Sequence, residues 1–506
     1  MIKIDGSSLS IEDVVRVARE GVGAELAESA RQPVERSREL VEQVLRAGKV
    51  VYGISTGVGE LAHEVISADQ AEAMQRNLLR SHAVGVGEPL GEDVVRAIML
   101  LRANALAKGY SGVRAELITF LLEMINRDVL PMIPCRGSVG ASGDLAPLAH
   151  LALVIMGEGE CMRGGARVAA EEALREAGLA PMTLQPKEGL ALINGTQLMA
   201  ALGCLVVKDA EILLKNALIA GAMSFEALKG TNKSLDEKVH AVRPHPGQVR
   251  CAANMRRLLA GSEIIASHRN CQKVQDAYTL RCIPQVYGAV ADTIDHARGV
   301  LAIEINSAND NPLIFPETGE VISGGNFHGE PLAFIMDFMG IALAEIANMS
   351  ERTVDRLVNP HLSGLPPFLV ENSGLNTGFM IAQYTAAALV SENKVLAHPS
   401  SVDSIPTSAG QEDHVSMGAT AALHALAILR NVEHVLAIEM LCAAQGMDFQ
   451  SDKPGAGTRV AHEVIRRQIS HLQDDRLLYE DIEAARRLVA YGEIVRAVEQ
   501  AIGGME

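Results

Sequence analysis

Six stretches beyond residue 194 constrain the fold more than anything else in the chain. Residues 199–229, 248–270, 276–300, 331–358, 378–397 and 418–445 are long, rich in Ala and Leu, and contain little Pro or Gly. Such segments can close i→i−4 hydrogen bonds over many turns. The last of them is apolar on nearly all faces, so it belongs in the middle of a bundle rather than on a surface. Aromatic residues make up only 3% of the chain and Trp is absent, which leaves few strand-forming side chains. The expected fold is therefore all-α with minor β: a large central bundle of long helices preceded by a mostly helical N-terminal domain. A charged, glycine-containing segment at 151–190, ending near Pro186, suggests a division into 1–190 and 191–506.

The N-terminal part carries its own punctuation. Ser10 and Asp13 have capping-box spacing ahead of apolar positions at helical intervals, and Gly21 and Gly23 end that segment. Pro33 suits the first turn of a second helix, which Gly48 closes. Residues 50–60 hold three glycines and read as a loop. Helical patterns resume from Gln75 to Ile125, interrupted at Gly85–Gly87 and Gly109–Gly112. Strand signals are short. The clearest is at 313–323, where Thr318–Gly319 would turn a hairpin.

Charge and cysteine usage narrow the function classes. With 45 Lys and Arg against 62 Asp and Glu, the net charge is −17, which repels phosphate backbones and argues against nucleic acid as a partner. The seven cysteines are scattered and form no Cys-x-x-Cys pair, as expected in a reducing cytoplasm. No basic and apolar leader opens the chain. The apolar stretch at 331–350 contains Asp337 and Glu345, so it reads as a buried helix and not a membrane span. Fifteen histidines show no His-Glu-x-x-His or clustered spacing, and no required metal is expected.

The segment Gly137-Ser-Val-Gly-Ala-Ser-Gly-Asp144, followed by Leu145-Ala-Pro-Leu-Ala-His150, admits three readings from its residues alone. It could be a plain loop whose Ser142 or Asp144 caps a helix with Pro147 in its first turn. It could be a phosphate cradle, although the Lys of G-x-x-x-x-G-K-[ST] is missing. The third reading is chemical. The amide nitrogen of Gly143 can attack the carbonyl of Ala141, and loss of water from the ring and from Ser142 would leave an electrophilic exocyclic methylene.

This segment resembles the signature of the aromatic amino acid ammonia-lyase and aminomutase family. The likeness extends to Tyr52-Gly-Ile-Ser-Thr-Gly57, Arg76-Asn-Leu-Leu-Arg-Ser-His82, Leu192-Ile-Asn-Gly-Thr-Gln197, Val274-Gln-Asp-Ala-Tyr278 with Arg281, Asn326-Phe-His-Gly329 and Gln411-Glu-Asp-His-Val-Ser-Met417, all in family order. Ser81-His82, Arg243-Pro-His-Pro-Gly-Gln248 and Gln411-Glu412 are most similar to the histidine-using branch. Ser55, Val58 and Gly410 depart from it, standing where Asn, Phe and Asn are usual.

The resemblance implies that Ala141, Ser142 and Gly143 become 4-methylideneimidazol-5-one (MIO), and that Tyr52 is the general base. A free phenol has a pKa of ~10, so that role calls for neighbours that favour the phenolate. It further implies that Arg281 grips the substrate carboxylate, helped by Asn194, Gln275 and Tyr278, and that Phe327 packs on the MIO ring. Glu412 and His82 would meet the two nitrogens of an imidazole. The implied substrate is a small amino acid, L-histidine, converted to urocanate and ammonia as the first step of histidine degradation. The implied assembly is a homotetramer with shared active sites. Tyrosine or phenylalanine ammonia-lyase and 2,3-aminomutase chemistry are the alternatives within the family. A fumarase-type lyase or a helical scaffold is the alternative outside it.

Overall fold

The computed structural model describes residues 1–67, 69–268 and 274–506. Among them are twenty-one α-helices and nine strands, none of the strands longer than four residues, so the all-α expectation with minor β is met. The chain forms two compact, discontinuous units: 1–208 with 298–337 and 399–423, and 209–297 with 338–398 and 424–506. This partition differs from the sequential division expected at 190/191. Residues 191–208 and two later segments fold with the N-terminal part, and the helix Gln197–Ala227 receives its cap from there.

In the first unit, the capping box at Ser10 and Asp13 forms as read, and Gly21 ends that helix in the left-handed region. The second helix starts earlier than expected, at Glu28, which leaves Pro33 inside it and not in its first turn. A Cβ at Gly109 would lie 2.8 Å from the Pro33 ring, so glycine there lets the next segment pack against the proline. Gly48 closes this helix with paired bonds: its N–H donates to Leu45 and the N–H of Lys49 donates to Val44. The helix Glu92–Ala107 is buried around nearly its whole circumference and forms the unit's centre.

Two β features were not legible in advance. Val86–Pro89, expected as a glycine turn, pairs antiparallel with Pro134–Arg136. Within 151–190, Glu160–Arg163 and Ala166–Ala169 form a hairpin whose two turn residues, Gly164 and Gly165, both have positive φ. The hairpin expected at Thr318–Gly319 joins Leu313–Phe315 to Glu320–Ile322.

The regular elements among the described residues of the second unit are all helices, joined by loops. The stretch expected as one helix at 248–270 breaks at Gly261, and Ser262 caps the short helix Glu263–Ser267 by accepting from the N–H of Ile265. Residues 269 and 270 of that expectation lie outside the described residues. The stretch at 276–300 likewise divides into Tyr278–Arg281 and Ile283–Glu304, with Pro284 in the first turn of the longer helix. Residues 435–447 of the helix Gly418–Asp448 are all buried, as its apolar composition required. Glu330–Val358 alone among the described helices is long and apolar enough to cross a membrane, and 67% of its apolar window is buried within the protein.

Candidate active site

The loop 137–144 is fixed from several sides within the first unit. Gly329 N–H and Ser416 Oγ donate to the carbonyl of Gly140 at 3.1 and 3.0 Å, and Met417 N–H donates to that of Val139 at 2.9 Å. These donors sit at or beside the starts of the helices Glu330–Val358 and Gly418–Asp448. Gly143 has φ +76, and a Cβ there would lie 2.1 Å from the Gly195 carbonyl oxygen, so only glycine fits this turn. Asp144 N–H donates to that same carbonyl at 2.7 Å.

Asp144 opens the helix Leu145–Ile155, yet its side chain does not cap it. The carboxylate instead accepts from the N–H groups of Leu198 and Met199, at 2.9 and 3.1 Å, and so caps the helix Gln197–Ala227. Ser138 Oγ donates to its other oxygen at 2.7 Å. Burial pushes the Asp144 pKa up to about 6 against the pull of these three donors. The plain-loop reading foresaw a cap on the adjacent helix, and the cap belongs to a different one.

A cavity of about 1480 Å³ opens beside the loop. Its lining lies wholly in the first unit and includes eight residues singled out in the sequence: Tyr52, His82, Ala141, Ser142, Gly143, Asn194, Phe327 and Glu412. Ser142 Oγ donates to Glu412 Oε1 at 2.9 Å. Gly59 N–H donates to the Tyr52 hydroxyl oxygen at 3.1 Å and holds it at the cavity wall. Burial pulls the His82 pKa down, which favours the neutral imidazole, and Ser81 Oγ lies 3.0 Å from its Nδ1.

Asn194 is buried. Its amide donates to the carbonyl of Asn311 at 3.1 Å, its own carbonyl accepts from Arg102 at 2.7 Å, and its Oδ1 has no partner. Arg102 is fully buried as well, and burial lowers its pKa to about 10. Neither Arg102 nor the capping role of Asp144 was singled out from sequence. Both act through backbone atoms distant in the chain, which no local motif encodes.

Gln275, Tyr278 and Arg281 do not line this cavity; they lie in the second unit. The Arg281 guanidinium stands 5.1 Å from the Tyr278 ring centroid, its Nε is buried with no partner among the described residues, and Gln275 and Tyr278 are exposed. Of the three departures from the usual motifs, only Val58 lines the cavity. The Ser55 hydroxyl is spent on the backbone, accepting from Val51 N–H and donating to the Lys49 carbonyl. Gly410 has φ +89, a region that glycine and asparagine both tolerate. The fold also brings His328, Glu330 and His414 together, a trio that spacing along the chain conceals.

Known proteins match this chain over nearly its whole length. The family description "Aromatic amino acid lyase" matches residues 9–467. A curated histidine ammonia-lyase of Alkaliphilus oremlandii is 56% identical over 502 residues, covering 99% of both chains. The solved histidine ammonia-lyase of Trypanosoma cruzi superposes with a TM-score of 0.92 at 42% identity, covering 99% of this chain and 95% of that one. A tyrosine aminomutase from Streptomyces globisporus gives 0.94 at 41% identity, covering 99% and 98%.

Proposed function

The chain belongs to the aromatic amino acid lyase family, and on that premise we propose that it removes ammonia from L-histidine without oxidation, giving trans-urocanate. The cofactor in this reading is MIO formed from Ala141-Ser142-Gly143, an electrophile that captures the substrate amine and turns it into a better leaving group. The residues present fit that group. Gly143 occupies a turn with no room for a Cβ, as attack by its own nitrogen favours, and the buried Asn194 Oδ1 is left without a donor at the cavity wall.

The chain's own side chains then divide the work. Tyr52 receives the β-proton at its hydroxyl oxygen, which the Gly59 amide positions. Glu412 accepts from one imidazole nitrogen of the substrate, and His82, neutral through burial, meets the other. Phe327 supplies an apolar face in the same cavity. Arg281 holds the substrate carboxylate in a bidentate fork, with Gln275 and Tyr278 beside it.

These last three come from another copy in a homotetramer with shared sites. Support for this comes from their absence from the cavity lining and from the cavity's volume, about 1480 Å³ against the ~300–1,000 Å³ of common small-molecule sites. The described cysteines form no disulfide, in keeping with a cytoplasmic enzyme.

The single observation that carries the substrate assignment is the Glu412 carboxylate hydrogen-bonded to Ser142. Facing a phenyl ring, that carboxylate would have no partner on the substrate. A tyrosine-directed reading draws on His82, which could meet a phenol, and on the solved tyrosine aminomutase. Incubation with L-histidine, L-tyrosine and L-phenylalanine at equal concentration separates the two. Urocanate should form fastest, whereas faster release of coumarate or cinnamate would replace the histidine assignment. An intact mass two waters below that of the unmodified chain checks the cofactor independently.

A further inference from the structure

One imidazole nitrogen each from His328 and His414 and one carboxylate oxygen from Glu330 lie within 4.8 Å of one another. The two rings are tilted by 33° with centroids 5.7 Å apart, and both histidines line the cavity. Glu330 opens the helix Glu330–Val358, and its N–H donates to His328 Nδ1 in a long contact of 3.3 Å that keeps the ring beside the carboxylate. Glu330 Oε2 is shut off from solvent and has no hydrogen-bond partner. A carboxylate oxygen in that condition is costly unless a proton or a cation meets it.

We infer that His328, Glu330 and His414 bind one divalent transition-metal ion of the zinc class at the cavity wall. Two neutral imidazoles and a carboxylate are the donors such ions take, whereas magnesium and calcium favour all-oxygen sets. Tetrahedral bonds of ~2.0–2.1 Å place ligand atoms about 3.3 Å apart. The trio therefore closes inward by modest side-chain rotation, which the exposed His414 permits. Ligation through His328 Nδ1 exchanges its long contact for a metal bond. Three protein ligands leave a fourth position for water or for an imidazole or carboxylate entering the cavity.

The test uses the full-length protein, stripped with chelator and titrated with Co2+ and then Zn2+ at about pH 7.5, where imidazole is mostly neutral. One Co2+ per chain should bind, with the visible bands of a four-coordinate nitrogen and oxygen site, and free imidazole should shift those bands. Glu330→Gln and His414→Ala should each weaken binding by at least ~10-fold, while His361→Ala, an exposed histidine in the other unit, should not. Zn2+ should raise the melting temperature of the wild-type protein and not that of the two site variants, provided their circular dichroism shows the native fold. Failure of the wild-type protein to take up Co2+, or undiminished binding by both folded site variants, would overturn the inference.

Discussion

Ser142 and Glu412 are 270 positions apart in the chain and share one hydrogen bond, so two roles that the sequence could only assign separately meet at one point. Replacing Ser142 with Ala removes the hydroxyl from which the proposed methylene would form. Turnover should vanish while circular dichroism stays native, and the intact mass should no longer fall by two waters; a near-normal rate would refute the scheme. Tyr52→Phe keeps the ring and deletes the hydroxyl held by Gly59, the proposed proton acceptor, so kcat should fall by at least ~10². Near wild-type kcat would move the base elsewhere. In the proposed complex, Glu412→Gln would exchange a charge-assisted hydrogen bond to imidazole, worth ~1.5–3 kcal/mol, for a neutral one. Activity on histidine should drop more than activity on phenylalanine, as read from kcat/KM for each; equal losses would separate Glu412 from substrate choice.

Helices depend here on partners from outside themselves. Asp144 caps Gln197–Ala227 from another segment, and Glu439, in the middle of Gly418–Asp448, accepts from Ser224 Oγ at 3.0 Å while its Oε2 has no partner. Burial holds the Glu439 carboxyl up at about 7, against about 4.3 in an unfolded chain. The folded state therefore keeps a proton that the unfolded state releases between those values. The resulting stability is fully present below about pH 4.3 and is lost as pH rises through 7. Its size is on the order of 3 kcal/mol. Glu439→Gln should consequently flatten the fall in melting temperature between about pH 5 and 8, and parallel melting curves for variant and wild type would contradict this. The capping box at Ser10 was visible in advance because both partners sit within one turn. The caps and the buried acid that rely on distant chain were not.

At the scale of the whole molecule, Glu330–Val358 presents Phe334, Phe338 and Ile341 at helical spacing with 44–47% exposure. Residues 435–447 of the helix Gly418–Asp448 are by contrast buried within the chain. Light scattering should report about four times the 53.9 kDa chain mass. A stable, active monomer would exclude shared sites. Co-expression offers a sharper check. A Ser142→Ala chain retains Arg281, and an Arg281→Ala chain retains Ser142, so mixed assemblies should regain activity that neither variant shows alone. Absence of recovery in verified mixed oligomers would place Arg281 and Ser142 in one chain's site.

Two kinds of information were readable from the chain by itself. Periodic apolar residues specify long helices because their packing requirement repeats every turn, and the likeness of the 137–150 segment to a family signature points to the ring closure proposed at 141–143. Eight of the eleven residues named from motifs line one cavity, a convergence of distant segments that the fold produces. Tertiary structure alone decided the rest. It determined that Asp144 caps a helix starting more than fifty residues later, that Arg102 supports Asn194 through a backbone carbonyl, and that Ser55 turns to its own loop while Val58 faces the cavity. It also determined that His414 stands beside His328. Hydrogen bonds and ligand distances act over a few ångströms in space, and the fold sets those distances independently of separation along the chain.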